Sequence, residues 1–114
     1  MMVIRNEQME ALSKYVFDEF LKRMVVRLRN TCQTETQFMD DGAFLNLVRD
    51  GVDHASEFKI REEENLETFL EYTVRYGKEF YATPLFHGAR GVLESSQLDE
   101  TEKMNRINEY VIFR

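Results

Sequence analysis

The sequence predicts an all-α fold, a single compact domain over residues 1–114 with about five helices, three long and two short. Apolar residues recur at intervals of three and four along most of the chain, which is the spacing of one helix face. One proline and five glycines are few for a protein of many short strands and turns. With 43% hydrophobic and 32% charged residues, the composition excludes a disordered or membrane-embedded chain.

The first predicted helix is the longest and covers about residues 6–30. Asn6 is a suitable N-cap, and basic residues gather near the other end, where the helix dipole favours cations. At 1.5 Å per residue this helix would be about 36 Å long, so we expect the other helices to pack against it. Its apolar stripe consists of Met9, Leu12, Val16, Phe20, Met24 and Leu28.

A second helix is predicted over about residues 41–58 and a third over about residues 62–80. Each carries a glycine in the middle of its apolar stripe, Gly51 in the second helix and Gly77 in the third. A glycine inside a helix costs about 1 kcal/mol relative to alanine, and close approach of a neighbouring helix is the compensation we expect. The second and third helices are therefore predicted to cross as an antiparallel pair.

Polar residues indicate where three of the helices begin. An aspartate, Asp40 or Asp41, is expected to cap the second helix. Thr83 followed by Pro84 is typical of the start of a helix, and it predicts a short fourth one. Residues 99–102 have the pattern of a capping box, which places the start of a short fifth helix there.

The residues that carry catalytic or metal-binding chemistry do not have the spacing of a site. His54 and His87 lie on different segments, and a lone imidazole without orienting partners does not make a site. Asp50 shares a helix face with His54, but Asp53 points elsewhere, so this cluster is typical of a solvated surface. We predict no enzyme activity, no cofactor and no metal; an enzyme that uses His54 with Asp50 is the alternative.

The single cysteine and the N-terminal sequence indicate a reducing compartment. Cys32 has no second cysteine to pair with, and it lies in the polar segment 31–39, which is predicted to be a loop. The sequence has neither a signal peptide nor an apolar run long enough to cross a membrane. The cytoplasm is the predicted location, and the net charge of −6 argues against nucleic acid as the main partner.

Charge is distributed unevenly along the chain. Residues 1–30 carry six basic and four acidic residues, whereas the rest of the chain carries nine basic and seventeen acidic ones. Either of two acidic regions predicts a surface for a basic partner: Glu62–Glu71, which contains Glu63, Glu67 and Glu71, or Glu94–Glu102. The simpler interpretation is that the charges at helix ends match the helix dipoles.

Two arginines do not suit the apolar stripe of the first helix. Arg27 lies on the same meridian of that helix as Met9. Either Arg23 and Arg27 pair with carboxylates at the edge of the core, or this end of the helix is not covered by its own fold. In the second case the helix end and the apolar C-terminal tail would form a surface for a partner or for a second copy in a homodimer. The residues of that surface are Arg23, Met24, Arg27, Leu28, Ile112 and Phe113.

Core and turn residues along nearly the whole chain form motifs that resemble those of a known group of proteins. The motifs are Arg23-Met24-x-x-x-Leu28, Leu47-Val48-x-x-Gly51-Val52-x-x-Ala55, Tyr76-Gly77-x-x-Phe80-x-x-x-Pro84 and Lys103-Met104. In them the chain resembles small, mostly uncharacterised bacterial helical proteins encoded beside type VI secretion effectors, such as lipases or toxins with PAAR-type spike tips. The resemblance implies a non-catalytic accessory or adaptor protein that binds an effector or spike component. An immunity protein that neutralises a cognate toxin through an acidic face is the alternative.

Overall fold

This computed structural model describes residues 14–112 of the chain. This part contains six α-helices, four of them long. The helices are α1 (Lys14–Thr31), α2 (Gln33–Thr36), α3 (Asp41–Glu57), α4 (Glu63–Tyr76), α5 (Ala89–Glu94) and α6 (Glu100–Ile112). Two 3₁₀ turns, Phe80–Ala82 and Pro84–Phe86, connect α4 to α5. The predicted all-α fold is confirmed. The predicted roles of Asn6, Met9, Leu12 and Phe113 fall outside the described residues.

Helix α1 ends within one residue of its predicted end, but the segment after it is not the predicted loop. The backbone N–H of Cys32 donates to the carbonyl of Leu28 at 2.7 Å, so the chain leaves α1 still following a helical path. One further turn, α2, follows directly, and the Thr36 hydroxyl donates to the Cys32 carbonyl at 2.8 Å within it. Polar composition alone therefore failed to identify this helical turn.

Helices α3 and α4 form the predicted antiparallel pair. Asp40 caps α3 as expected, because its carboxylate accepts a hydrogen bond from the backbone N–H of Ala43 at 2.8 Å. Later residues of α3 contact earlier residues of α4: the ring centroids of Phe58, at the end of α3, and Phe69 lie 6.3 Å apart. Gly51, about two helical turns before Phe58, packs against Leu70. Helix α1 lies across both members of this pair.

The two stripe glycines have different roles. A Cβ atom at Gly51 would lie 2.6 Å from Cδ2 of the buried Leu70, so the close helix crossing predicted there is confirmed. The prediction for Gly77 is wrong, since α4 ends at Tyr76 and Gly77 is its C-cap, with a φ of 109°. A Cβ at Gly77 would meet no atom within 4 Å. Glycine suits this position because of the positive φ, which it adopts without strain.

One hydrophobic cluster forms the core, and an aromatic group occupies its centre. Phe80, in the first 3₁₀ turn, is fully buried. Its ring centroid lies 5.0 Å from that of Phe69, 5.1 Å from Phe86, 5.3 Å from Tyr81 and 5.7 Å from Tyr72. These separations are those of favourable edge-to-face and tilted aromatic pairs. The irregular chain between α4 and α5 is thus fixed by the rings that it contributes.

The predicted fourth helix is broken into two parts. Thr83 and Pro84 begin a single 3₁₀ turn rather than a longer helix. Gly88 then adopts a φ of 90°, in the left-handed region, and α5 starts only at Ala89. A Cβ at Gly88 would also lie 3.2 Å from the Tyr110 hydroxyl of α6. The glycine therefore ends one helical segment and lets α6 approach.

Helix α6 begins with the predicted capping box. The backbone N–H of Glu102 donates to the Asp99 carboxylate at 2.8 Å, and that of Asp99 donates to the Glu102 carboxylate at 3.1 Å. With 13 residues, α6 is longer than the short helix predicted there. It packs on α4 and α5.

A carboxylate of α6 also caps α4. Oε1 of Glu100 accepts hydrogen bonds from the backbone N–H groups of Arg61 and Glu62, at 3.1 and 2.9 Å, and from the Asn65 side-chain amide at 3.0 Å. The residue in the N-cap position, Glu62, makes no side-chain cap bond of its own. Glu100 therefore satisfies the N–H groups of the two residues that lead into α4, which have no partner within that helix.

The fold has a flattened shape, with extents of 37 × 35 × 20 Å and a Cα radius of gyration of 13.9 Å. That radius is close to the value of about 13 Å expected for one domain of this length. None of the helices in residues 14–112 is both long and apolar enough to cross a membrane.

Candidate functional site

The predicted partner surface at the end of α1 is largely part of the core. Met24 is 0% exposed and Leu28 is 1% exposed, since α3 and α4 pack over this stretch of α1. The prediction that this helix end is uncovered is therefore wrong for both side chains. Phe20, Met24 and Leu28 of the predicted stripe are covered because two helices, rather than one, pack on α1. Val16, at the other end of the described stripe, is 41% exposed.

The two arginines pair with carboxylates at the edge of the core, which was the first of the two alternatives for them. Arg23 donates to Glu63 at 2.8 Å. Arg27 donates to Glu67 at 3.0 Å and lies 3.4 Å from the second carboxylate oxygen of Glu63. These bonds join α1 to the first turns of α4. Glu71, the third predicted acidic residue, binds Arg75 of its own helix at 3.0 Å.

Replacing Glu63 by glutamine is expected to lower the free energy of unfolding by about 1 kcal/mol at low salt. Glu63 is the one carboxylate that contacts both arginines, and its side chain is only 20% exposed. Added salt weakens exposed pairs, so the loss should shrink at roughly 0.5 M NaCl. Urea unfolding at the two salt concentrations measures both effects.

Glu64→Gln is the matched control for this prediction. Glu64 is exposed, lies in the same first turn of α4 and takes part in no ion pair among the described residues. Both substitutions remove one negative charge from the helix N-terminus, so their difference isolates the contacts with the arginines. Equal losses in the two variants would contradict the structural role of the Arg23–Glu63–Arg27 network.

The C-terminal part of the predicted surface remains open to solvent at one position. Ile112 is 68% exposed, whereas Val111 packs against the core. Phe113 lies outside the described residues. Ile112 therefore stays a candidate contact residue, separate from the buried end of α1.

An exposed phenylalanine that no sequence pattern marked lies between α2 and α3. Phe38 is 94% exposed, although it belongs to a well-tethered loop. Arg29 of α1 donates to the carbonyls of Thr36 and Met39, each at 2.9 Å, and so holds the backbone on both sides of Phe38. The same guanidinium binds the Asp41 carboxylate at 2.9 Å. The one signal in the sequence was a large aromatic residue within an otherwise polar segment.

A second exposed apolar residue lies on α1. Val26 is 62% exposed and precedes Arg29 by three residues, which places the two on one helix face. We call Arg29, Phe38 and Asp41 the Phe38 surface. It combines an exposed aromatic side chain with a loop backbone held by Arg29 and an exposed carboxylate.

The histidine and aspartates considered as a catalytic or metal site have ordinary structural partners. Nδ1 of the half-buried His54 donates to the carbonyl of Lys78 at 3.2 Å. The Asp50 carboxylate binds the Lys78 ammonium at 2.9 Å, on the same face of α3. Asp53 is exposed and does not join them. Residues 14–112 contain no group of three side chains placed to bind a metal ion.

The thiol of Cys32 is a core group, and its surroundings differ from those expected. Cys32 is 0% exposed, and burial raises the pKa of its thiol, while the charge of Arg75 acts in the opposite direction. The arginine beside it is Arg75, while Arg29 is turned toward the Phe38 loop.

The chain matches none of the protein-family models, curated proteins or solved structures with which it was compared, so its candidate sites follow from its own geometry.

Proposed function

We propose that the protein is a non-catalytic accessory protein that binds a partner protein through the Phe38 surface. The observation that carries this proposal is the 94% exposure of Phe38 on a tethered loop. Moving a phenylalanine side chain from water into an apolar pocket contributes about 1.5–3 kcal/mol. Aromatic anchors of this kind supply much of the energy of protein interfaces.

The tether makes Phe38 a better anchor than an aromatic residue on a mobile loop. Binding costs free energy when a loop has to become ordered, about 0.5–1.5 kcal/mol for each side chain that is immobilised. The two hydrogen bonds from Arg29 fix the loop backbone before any partner arrives. Part of the free-energy cost of ordering the loop therefore arises when the protein folds and not when it binds.

Charges around Phe38 indicate the chemistry of the partner. Asp40 and Asp41 follow Phe38 closely, and the Asp41 side chain is 96% exposed. The whole chain carries a net charge of −6. We therefore expect a partner with an apolar pocket for the phenyl ring and basic side chains on the rim of that pocket.

The resemblance described above supports a type VI secretion effector or spike component as this partner. It also leaves the immunity role as the second candidate. That role relies on an acidic face, and Glu63, Glu67 and Glu71 already contact arginines of this chain. Asp41 also contacts an arginine, but its side chain is 96% exposed, whereas those of the three glutamates are only 20–33% exposed. Because the glutamates are less available to a toxin, we place the adaptor role first.

A crosslinking experiment followed by titration tests the proposed surface. A photoreactive phenylalanine analogue at position 38 would identify the partner in the cells of origin. The purified partner is then titrated with the wild-type chain and with Phe38→Ala. Loss of an aromatic anchor worth at least 1.4 kcal/mol should weaken binding about tenfold or more, while the melting temperature stays unchanged.

Ile112→Ala is the control, because Ile112 is an exposed apolar residue on a different helix. Unchanged affinity for Phe38→Ala, or a larger loss for Ile112→Ala, would remove the Phe38 surface from the proposal. If position 38 crosslinks instead to a second copy and sedimentation gives a dimer, the surface serves self-association.

Adaptor and immunity roles differ in what happens to the partner. An adaptor leaves the activity of a bound effector intact, and deletion of its gene stops secretion only. An immunity protein abolishes the toxin's activity on binding, and deletion of its gene slows or kills cells exposed to the toxin. Measuring partner activity at saturating concentrations of this chain therefore separates the two.

A further inference from the structure

A cleft of about 310 Å³ opens where the C-terminal ends of α3 and α5 meet the first turn of α6. Its volume lies at the lower end of the range of about 300–1,000 Å³ for small-molecule sites. Five charged residues line it: Lys59, Arg90, Lys103, Glu57 and Glu94. None of them belongs to the Phe38 surface, so the cleft is a separate feature of the molecule.

Lys103 is the buried cation of the cleft. The residue is only 5% exposed, and Nζ donates to the Phe58 carbonyl at the C-terminus of α3, at 2.9 Å. An ammonium group has three donors, and Phe58 is its only hydrogen-bond acceptor among the described residues. Burial, and then the charge of Lys59, lower the pKa of Lys103, while Glu100 opposes them. The ammonium therefore lacks the full stabilisation that an anionic partner would give.

Lys59 brings a second ammonium to the cleft at a cost in backbone strain. It is the one non-glycine residue of the described chain with a positive φ, 64°. The backbone N–H of Lys59 donates to the carbonyl of Ser56 at 2.9 Å, and that of Ile60 donates to the carbonyl of Ala55 at 2.9 Å. These are the two hydrogen bonds of a Schellman motif. Glycine is the favoured residue at this position. A lysine that persists in a strained conformation beside a cleft is a candidate functional residue.

The balance of charge in the cleft favours an anion. Arg90 and Glu94 neutralise each other through a contact of 3.1 Å. That leaves two lysines against the single carboxylate of Glu57, and neither lysine belongs to an ion pair within the described part of the chain. Glu100, whose charge also acts on Lys103, is not part of the lining, and its Oε1 already accepts three hydrogen bonds at the start of α4. Among the residues that line the cleft, positive charge is therefore in excess.

We infer that this cleft binds a small oxyanion, a phosphate or carboxylate group, between the ammonium groups of Lys59 and Lys103. Ser95 and Ser96 supply hydroxyl groups in the same lining. Oγ of Ser95 accepts a hydrogen bond from the backbone N–H of Gln97 at 3.1 Å, which leaves its O–H free to donate. Ammonium and hydroxyl donors together suit an oxygen-rich anion.

Titrations followed by NMR test this inference, with inorganic phosphate in one arm and acetate in the other, at constant ionic strength. Saturable shifts confined to the amides of Lys59, Ser95 and Ser96 are the expected result. Phosphate binding alone identifies a phosphoryl ligand, and binding of acetate as well identifies a carboxylate-tolerant site. Absence of saturable shifts in both arms, or shifts spread over all basic residues, overturns the inference.

Two variants decide whether the lysines bind the anion. Lys59→Gly removes the side chain and relieves the strained backbone, so it should raise the melting temperature while weakening binding about tenfold, the effect of losing one charge-assisted contact. Lys103→Met should weaken it by at least as much; if that variant fails to fold, Lys59→Gly decides. Lys22→Gln, at an exposed lysine of α1, is the control and should bind as the wild type does. Unchanged affinity in Lys59→Gly contradicts the assignment.

Discussion

Replacing Phe80 by alanine is expected to lower the free energy of unfolding by about 3–5 kcal/mol. The ring of Phe80 is fully buried and packs against four other aromatic rings. Its removal therefore leaves a cavity that the neighbouring side chains cannot fill. For a chain of this length the melting temperature should fall by on the order of 15 °C. Urea and thermal unfolding followed by circular dichroism measure both quantities.

Phe38→Ala is the matched control, since it makes the same chemical change at a ring that is 94% exposed. Its effect on stability should stay within about 0.5 kcal/mol. Phe80→Leu keeps most of the buried volume and should cost less than about 1.5 kcal/mol. If Phe80→Ala and Phe38→Ala cost the same, the aromatic group is not the centre of the core.

Gly51→Val is expected to cost about 2–3 kcal/mol, because it overpacks the crossing of α3 and α4. The first added atom already lies 2.6 Å from Cδ2 of Leu70, and Leu70 is fully buried. Thr73 lies 3.5 Å away on the same face of α4. The two helices must therefore move apart, or Leu70 must leave its position in the core. Equilibrium unfolding in urea measures the loss.

Gly91→Val is the control for the glycine effect. Gly91 lies in α5, and a Cβ there would meet no atom within 4 Å. Since valine has the better helix propensity, this variant should be no less stable than the wild type. Leu70→Ala should partly compensate for Gly51→Val, with a coupling energy of about 1 kcal/mol or more in a double-mutant cycle. Strict additivity of the two would show that Gly51 and Leu70 do not meet.

Sequence reasoning succeeded where the chemistry is local. The caps at Asp40 and at residues 99–102 depend on side chains within three residues of the groups that they satisfy. Gly51 was interpretable because a glycine in the middle of an apolar stripe needs a compensating contact. Gly77 has the same spacing but ends α4, because periodicity does not distinguish a glycine that continues a stripe from one that ends a helix.

The features that combine distant segments could not be derived from the sequence. Spacing on α1 posed the two alternatives for Arg23, but only the packing of α4 supplies Glu63, forty residues later. The cleft depends on Lys59 and Lys103, which no local pattern relates. The exposure of Phe38 could not be predicted either, because a phenylalanine in this segment could equally have packed into the core. Its position depends on the hydrogen bonds from Arg29 to the loop backbone.

The carboxylate of Glu100 couples the stability of two helices that are far apart in the chain. From the first turn of α6 it accepts hydrogen bonds from the N–H groups of Arg61 and Glu62, which lead into α4, and from the Asn65 side chain within α4. Detaching α6 therefore removes bonds that hold the start of α4. We therefore expect partial unfolding of α6 to extend into the start of α4. Hydrogen exchange checks this, because the amide protons of the two segments should then exchange together.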